Sequence, residues 1–166
     1  MSKQIVLDLE TDGLIDEATR IWCATFNDAE TGSFVSFIPD NVKGVPGCYP
    51  IGNLRFFLNK RIDLGYTWIC HNLLKFDREI IERFTGILLP LEYCQDTLLW
   101  SQMLYPDIPQ PKGAKGKHGL EAWGLRFNIP KPAHEDWTKF SLDMLNRNQV
   151  DTQINRKLWL KIMEKI

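Results

Sequence analysis

The sequence predicts an α/β domain built on one mixed sheet flanked by helices. Three observations carry that expectation. The chain has 166 residues, 44% of them apolar and 25% charged, which is the size and composition of a single domain with its own core. Its N-terminal part holds three β-rich runs separated by turn residues. Beyond them, apolar residues recur at helical spacing and alternate with a short buried strand.

Residues 4–9 read as a central strand, with Ile5, Val6 and Leu7 running into acidic and glycine residues (Asp8, Glu10, Asp12, Gly13). Residues 21–27 give a second strand, 29–32 a turn and 33–38 a third, so a three-stranded antiparallel meander follows. Residues 41–50 are rich in Gly and Pro and predict a loop. Leu54, Phe57 and Leu58 place a short helix over 53–59. Thr67–Cys70 reads as a buried strand. Residues 75–84 form an amphipathic helix with Phe76, Ile80, Ile81 and Phe84 on one face. A helix over 96–104 starts at the cap residues Asp96 and Thr97. Residues 106–118 predict a long loop, 119–127 a helix and 128–139 an irregular stretch. Ser141 then caps the last helix, which starts near Leu142, and Phe140 and Leu145 fall at the positions of a hydrophobic staple. This order suits a ribonuclease H-like arrangement.

The net charge of −1 excludes a protein that grips nucleic acid by overall basicity. It leaves room for a local basic strip aided by metal ions. None of the four cysteines, Cys23, Cys48, Cys70 and Cys94, forms a CxxC pair, which argues against a zinc ribbon. Cys23 and Cys70 sit in apolar runs and read as buried reduced thiols of a cytosolic protein. No apolar run is long enough to span a bilayer, and the N-terminus leads straight into a strand, so neither a membrane partner nor a signal peptide is expected.

The chemistry concentrates in four carboxylates. Asp8 and Glu10 lie two apart on a strand and share a face, while Leu7 and Leu9 point the other way into the core. Adjacent carboxylates repel and resist burial, and a divalent cation removes that cost. The alternative is an exposed strand end that simply turns acidic. Asp77 falls in the first turn of a helix, just after Thr67–Cys70 and His71-Asn72. Asp151 lies inside the last helix, where an acid gains nothing from the helix dipole. Hard oxygen donors of this kind suit Mg²⁺ or Mn²⁺ rather than zinc. Two such ions can activate water and stabilise the leaving oxygen of a phosphodiester.

The segment Val6-Leu7-Asp8-Leu9-Glu10-Thr11-Asp12-Gly13-Leu14 resembles the first exonuclease motif of the proofreading domains of phage-type family A DNA polymerases. His71-Asn72-Leu73-Leu74-Lys75-Phe76-Asp77 resembles their second motif. Gln95-Asp96-Thr97-Leu98-Leu99 and His118-Gly119-Leu120-Glu121-Ala122-Trp123-Gly124 resemble two further segments, and Arg147-Asn148-Gln149-Val150-Asp151 stands at the third motif. The order is right and covers nearly the whole chain. The resemblance implies a DEDD-type, metal-dependent 3′→5′ exonuclease of ribonuclease H-like fold, holding two Mg²⁺ or Mn²⁺ ions. Asp8 would bridge the ions, Glu10 and Asp151 would help hold the one carrying the attacking water, and Asp77 would hold the second. The implied reaction releases nucleoside monophosphates from single-stranded or frayed 3′ ends of DNA. Thr11, Leu14 and Asn72 are the implied substrate contacts, with Leu14 packing on the terminal base or serving only as core. His71 reads as structural.

The third motif departs from the family, which carries a Tyr four residues before the Asp or a His five before it. Position 147 is Arg and position 146 is Asn. Arg147 either stabilises phosphate charge or is plain surface, and it is a poor base because it stays protonated. Lys112, Lys115, Lys117 and His118 form a segment free of acids that reads as a mobile basic lip for substrate phosphates, or as a solvated loop. The expected partners are a single-stranded DNA 3′ end and a separate DNA polymerase, in the cytoplasm of a bacterial host for a phage- or prophage-encoded chain. Two other readings stay open: a catalytically weak relative that binds nucleic acid or protein, and an RNase of the same fold.

Overall fold

The computed structural model describes residues 3–166. Six strands form one mixed sheet in the order β4-β3-β2-β1-β5-β6. The expected meander is β1 (Gln4–Thr11), β2 (Ile21–Asp28) and β3 (Phe34–Ile38), each antiparallel to the next. On its other side β1 pairs in parallel with β5 (Thr67–Cys70), which pairs in parallel with β6 (Cys94–Asp96). The far edge is β4 (Cys48–Pro50), parallel to β3. Strand β1 is therefore internal, with partners on both sides.

Its two faces feed two cores. Ile5, Leu7 and Leu9 pack with Phe26, Phe57, Ile80 and Ile81, under α1 (Leu54–Asp63) and α2 (Arg78–Thr85). Val6 points the other way and joins Ile69, Trp123, Ile154, Leu158 and Trp159, supplied by β5, α4 (Leu120–Arg126) and α5 (Leu142–Met163). Asp8, one pleat beyond Val6, thus opens toward α5.

Helix α5 starts as expected. The Ser141 hydroxyl accepts from the Met144 N–H over 3.1 Å, and Phe140 packs beside buried Leu145. Other boundaries differ from the sequence reading. Strand β4 lies in a stretch expected to be loop, and β6 ends at Asp96, the expected start of a helix. Helix α1 runs on to Asp63. Asp77 does not sit in the first turn of an α-helix: a single π turn, Leu73–Asp77, precedes α2. Asp96 caps α3 (Thr97–Leu104) as expected, accepting from Leu98 N–H.

Gly124 decides the course of the irregular stretch. A Cβ there would stand 2.4 Å from the Ile129 carbonyl oxygen. The missing side chain lets the start of this stretch lie directly on α4, where the Ile129 N–H donates to Gly124 O over 2.8 Å. From there this strap runs across to the C-terminal end of β1. Among the described residues no helix is long and apolar enough to cross a membrane.

Candidate active site

Three elements deliver the acidic residues to one place. Strand β1 presents Asp8 and Glu10, with a register shift just after Glu10. The turn entering α2 places Asp77. In that turn Asn72 is left-handed (φ 70°), and the Asp96 carboxylate accepts from the backbone N–H groups of Asn72 (3.0 Å), Leu74 (3.2 Å) and Leu98 (3.0 Å). One carboxylate thus pins both the turn and the start of α3. Helix α5 presents Asn148 and Asp151, three apart and on one face. Ligand oxygens of Asp8, Glu10 and Asp151 lie within 4.8 Å of one another. So do those of Asp8 and Asp77 with the Cys70 sulfur. The four carboxylates singled out in the sequence therefore meet around Asp8.

Their electrostatics are those of an uncompensated cluster. Burial, then repulsion from Asp151, raises Glu10 to about 8, with Arg147 and Lys131 pulling against the shift. Burial raises Asp77 to about 7. Asp8 is pushed well up by burial and then by Asp151, Glu10 and Asp77, and Asp151 is raised by burial and opposed by Lys131. Four such groups cannot all ionise without cations. Asp151 Oδ1 is buried and accepts no hydrogen bond, so its lone pairs are free for a metal. The residues fit divalent metal, with hard oxygens on both sides and one soft thiol, Cys70, beside Asp77. Cys70 is buried and free, as expected, and from the core it also borders this cluster.

No protein-family model matches the chain. In sequence, 96% of it aligns with the DNA-directed DNA polymerases of Escherichia phage T7 (23% identical over 194 residues) and Enterobacteria phage T3 (22% over 194). The chain spans about a quarter of the length of these relatives, 26% in each case. In structure it is similar to Brucella melitensis NrnC bound to pGG, with a TM-score of 0.70, 18% identity, and coverage of 99% of this chain and 73% of that one. NrnC with bound Mg²⁺ superposes with a TM-score of 0.67 at 17% identity, over 99% and 73% of the two chains. A structure described as the apo form of the nuclease gives 0.68 at 19%, over 97% and 72%. The fold is ribonuclease H-like. The chain resembles the DEDD exonucleases of phage-type DNA polymerases.

Within that ribonuclease H-like frame the remaining sequence candidates fall as follows. Leu14 is not core: it is 74% exposed and borders a groove of about 330 Å³ with Glu10, Thr11, Phe76 and Trp137. Thr11 donates its hydroxyl to Gly13 O over 2.7 Å, which shapes that rim. Arg147 is neither free surface nor aimed at open space. Its Nη1 donates to Pro132 O over 2.7 Å, its guanidinium lies over the Trp137 ring, and its Nε stands 3.9 Å from Glu10. Lys112, Lys115 and Lys117 are exposed outside the cluster, with Lys117 Nζ donating to Pro106 O. His118 turns inward to Ser101 Oγ, 2.8 Å away. His71 is held neutral, its pKa lowered by burial and then by Lys131 to about 3, and its Nδ1 meets Thr97 Oγ1 at 3.0 Å, fitting its structural reading.

Two site residues escaped the sequence reading. Asn148, wholly buried, donates to Asp8 Oδ2 over 2.7 Å. Lys131 reaches out of the strap to Asp151 Oδ2, also at 2.7 Å. Asn148 could have been found from its spacing to Asp151. Lys131 carried only a faint signal, a cation between Pro130 and Pro132 just upstream of the third motif.

Proposed function

We propose that the chain is a metal-dependent 3′→5′ exonuclease that trims single-stranded or frayed DNA ends to nucleoside monophosphates, beside a separate DNA polymerase. The observation that carries this reading is the convergence of Asp8, Glu10, Asp77 and Asp151 around one carboxylate at the end of a groove. The alignment with phage polymerases supports DNA as substrate. A binding module gains nothing from buried clustered acids facing phosphates, which weighs against a non-catalytic relative.

Two Mg²⁺ or Mn²⁺ ions, when bound, would supply an activated water and charge stabilisation at the scissile phosphate. The chain's own groups do the rest. Asn148 holds Asp8 in orientation. Leu14 and Thr11, on the groove rim, pack against the terminal nucleoside and so admit an unpaired end. Asn72 meets the substrate backbone, and the exposed lysines Lys112, Lys115 and Lys117 offer positive charge to the phosphates of the strand, while His118 stays turned to Ser101. With Arg147 engaged by Pro132, no side chain of the third motif offers a general base.

Incubation of end-labelled single-stranded DNA with Mg²⁺, Mn²⁺ or chelator tests the reading. Mononucleotides should appear only with metal, and Asp8→Ala should abolish them. Activity in chelator, or internal fragments appearing first, refutes it. The likeness to NrnC bound to pGG supports a second substrate class, short oligonucleotides including RNA, so labelled RNA belongs in the same assay.

A further inference from the structure

The third motif lacks its usual water-orienting side chain, and Arg147 is occupied. Yet the cluster contains a second cation, from a segment with no motif. Lys131 Nζ lies 2.7 Å from Asp151 Oδ2, and its charge also acts on Asp8 and Glu10. It stands on the open side of the carboxylates: its side chain is 22% exposed, that of Asp151 only 4%. Its backbone is anchored on both flanks, by Ile129 on α4 before it and by Pro132, held by Arg147, after it. The prolines at 130 and 132 restrict the strap further. A long flexible side chain thus projects from a rigid base into the acidic cluster.

From this geometry we propose that Lys131 is a catalytic residue of the exonuclease: in the metal-free protein its ammonium occupies the cation position at Asp151, and on metal binding it moves to the scissile phosphate. The proposal rests on the exonuclease reading. A divalent cation at Asp151 Oδ1 repels the ammonium held at Oδ2, the more strongly as the site excludes water, and so loosens the Lys131 contact. Asp151 Oδ1 is already unpartnered and ready to accept a metal. The displaced ammonium has one direction open, toward solvent and the incoming strand. There a compact point charge suits a phosphate whose negative charge grows in the transition state.

Two binding measurements and one kinetic measurement on Lys131→Met, a near-isosteric neutral variant, test this. Calorimetric titration with Mn²⁺ should show tighter binding than wild type, severalfold, because a competing cation is gone. Fluorescence anisotropy of a labelled oligothymidylate in Ca²⁺ should show binding about tenfold weaker, with the salt slope reduced by about 0.7, one phosphate contact. Turnover should fall by about a hundredfold, the scale of one lost transition-state donor, and Lys131→Arg should restore part of it. A merely structural ion pair predicts the opposite pattern: lower melting temperature, Mn²⁺ affinity unchanged or weaker, and oligonucleotide binding unchanged. Either unchanged binding result overturns the proposal. If the wild type cleaves nothing, the exonuclease reading fails, while the Mn²⁺ titration still decides whether Lys131 holds the cation position.

Discussion

The Asn148 amide and the Asp8 carboxylate, 140 residues apart in sequence, meet at 2.7 Å. The helix that brings the last acid to the site also fixes the orientation of the first one. Asn148→Ala should therefore leave a half-buried Asp8 oxygen without its donor and destabilise the protein by about 1 kcal/mol. Thermal melts should show the loss. Asn148→Asp adds a further negative charge to the cluster and should be worse without metal but partly recovered by Mn²⁺. Equal melting temperatures for wild type and Asn148→Ala would show that the bond contributes nothing.

Metal and pH should act on stability in opposite directions. In the unfolded chain the acids ionise near their ordinary values, about 4. In the fold Glu10 is raised to about 8 and Asp77 to about 7, and Asp8 and Asp151 are raised as well. Between those limits the native state binds more protons, so stability present at low pH is lost as pH rises through 7 to 8. Metal needs the ionised ligands and should stabilise most at the upper end. Melting temperature in chelator should fall between about pH 5 and about pH 8, and the gain on adding Mg²⁺ should grow over the same window. A chelator-treated protein that gains stability with rising pH would contradict the cluster's electrostatics.

Arg147 should act through the strap rather than on the phosphate. It holds Pro132 O and lies over Trp137, two contacts that keep Lys131 in register. Arg147→Ala should cost about 1 kcal/mol of stability and lower turnover. Combined with Lys131→Met, it should lower turnover by less than the two separate losses together, since both changes disable one device. Additive losses would show that Arg147 has its own role. Arg147→Tyr should not raise activity, because the phenol would forfeit the hold on Pro132.

Leu14 offers a cleaner separation of binding from folding. At 74% exposure it supports no core, so Leu14→Ala should change stability by less than about 0.5 kcal/mol. If it packs on the terminal base, the same change should raise KM severalfold with a smaller effect on kcat. Unchanged KM would leave Leu14 as surface.

Much of this was written in the sequence, and the exceptions share a physical cause. β-rich apolar runs between turn residues exposed β1, β2 and β3, because internal strands bury both faces, and Thr67–Cys70 matched β5 residue for residue. Strands β4 and β6 have three residues each, too few for any period, and exist only because a neighbouring strand offers parallel partners. The carboxylates were legible because acids on a buried strand and inside a helix violate local preference. Lys131 violates none. A lysine between prolines in an irregular stretch is unremarkable locally, and its importance arises only from where Gly124 lets that stretch lie. His118 shows the converse, a residue placed among basic neighbours in sequence that the fold turns inward to Ser101.

The arrangement of acids along the chain bears on synthesis as well as on catalysis. Asp8 leaves the ribosome among the first residues of this segment, and Asp151 among the last. Until α5 docks against β1, the emerging polypeptide has neither the final acid nor the Asn148 clasp, and its partial sheet exposes the apolar face that Ile154, Leu158 and Trp159 later cover. A chain emerging without α5 therefore lacks the complete carboxylate cluster.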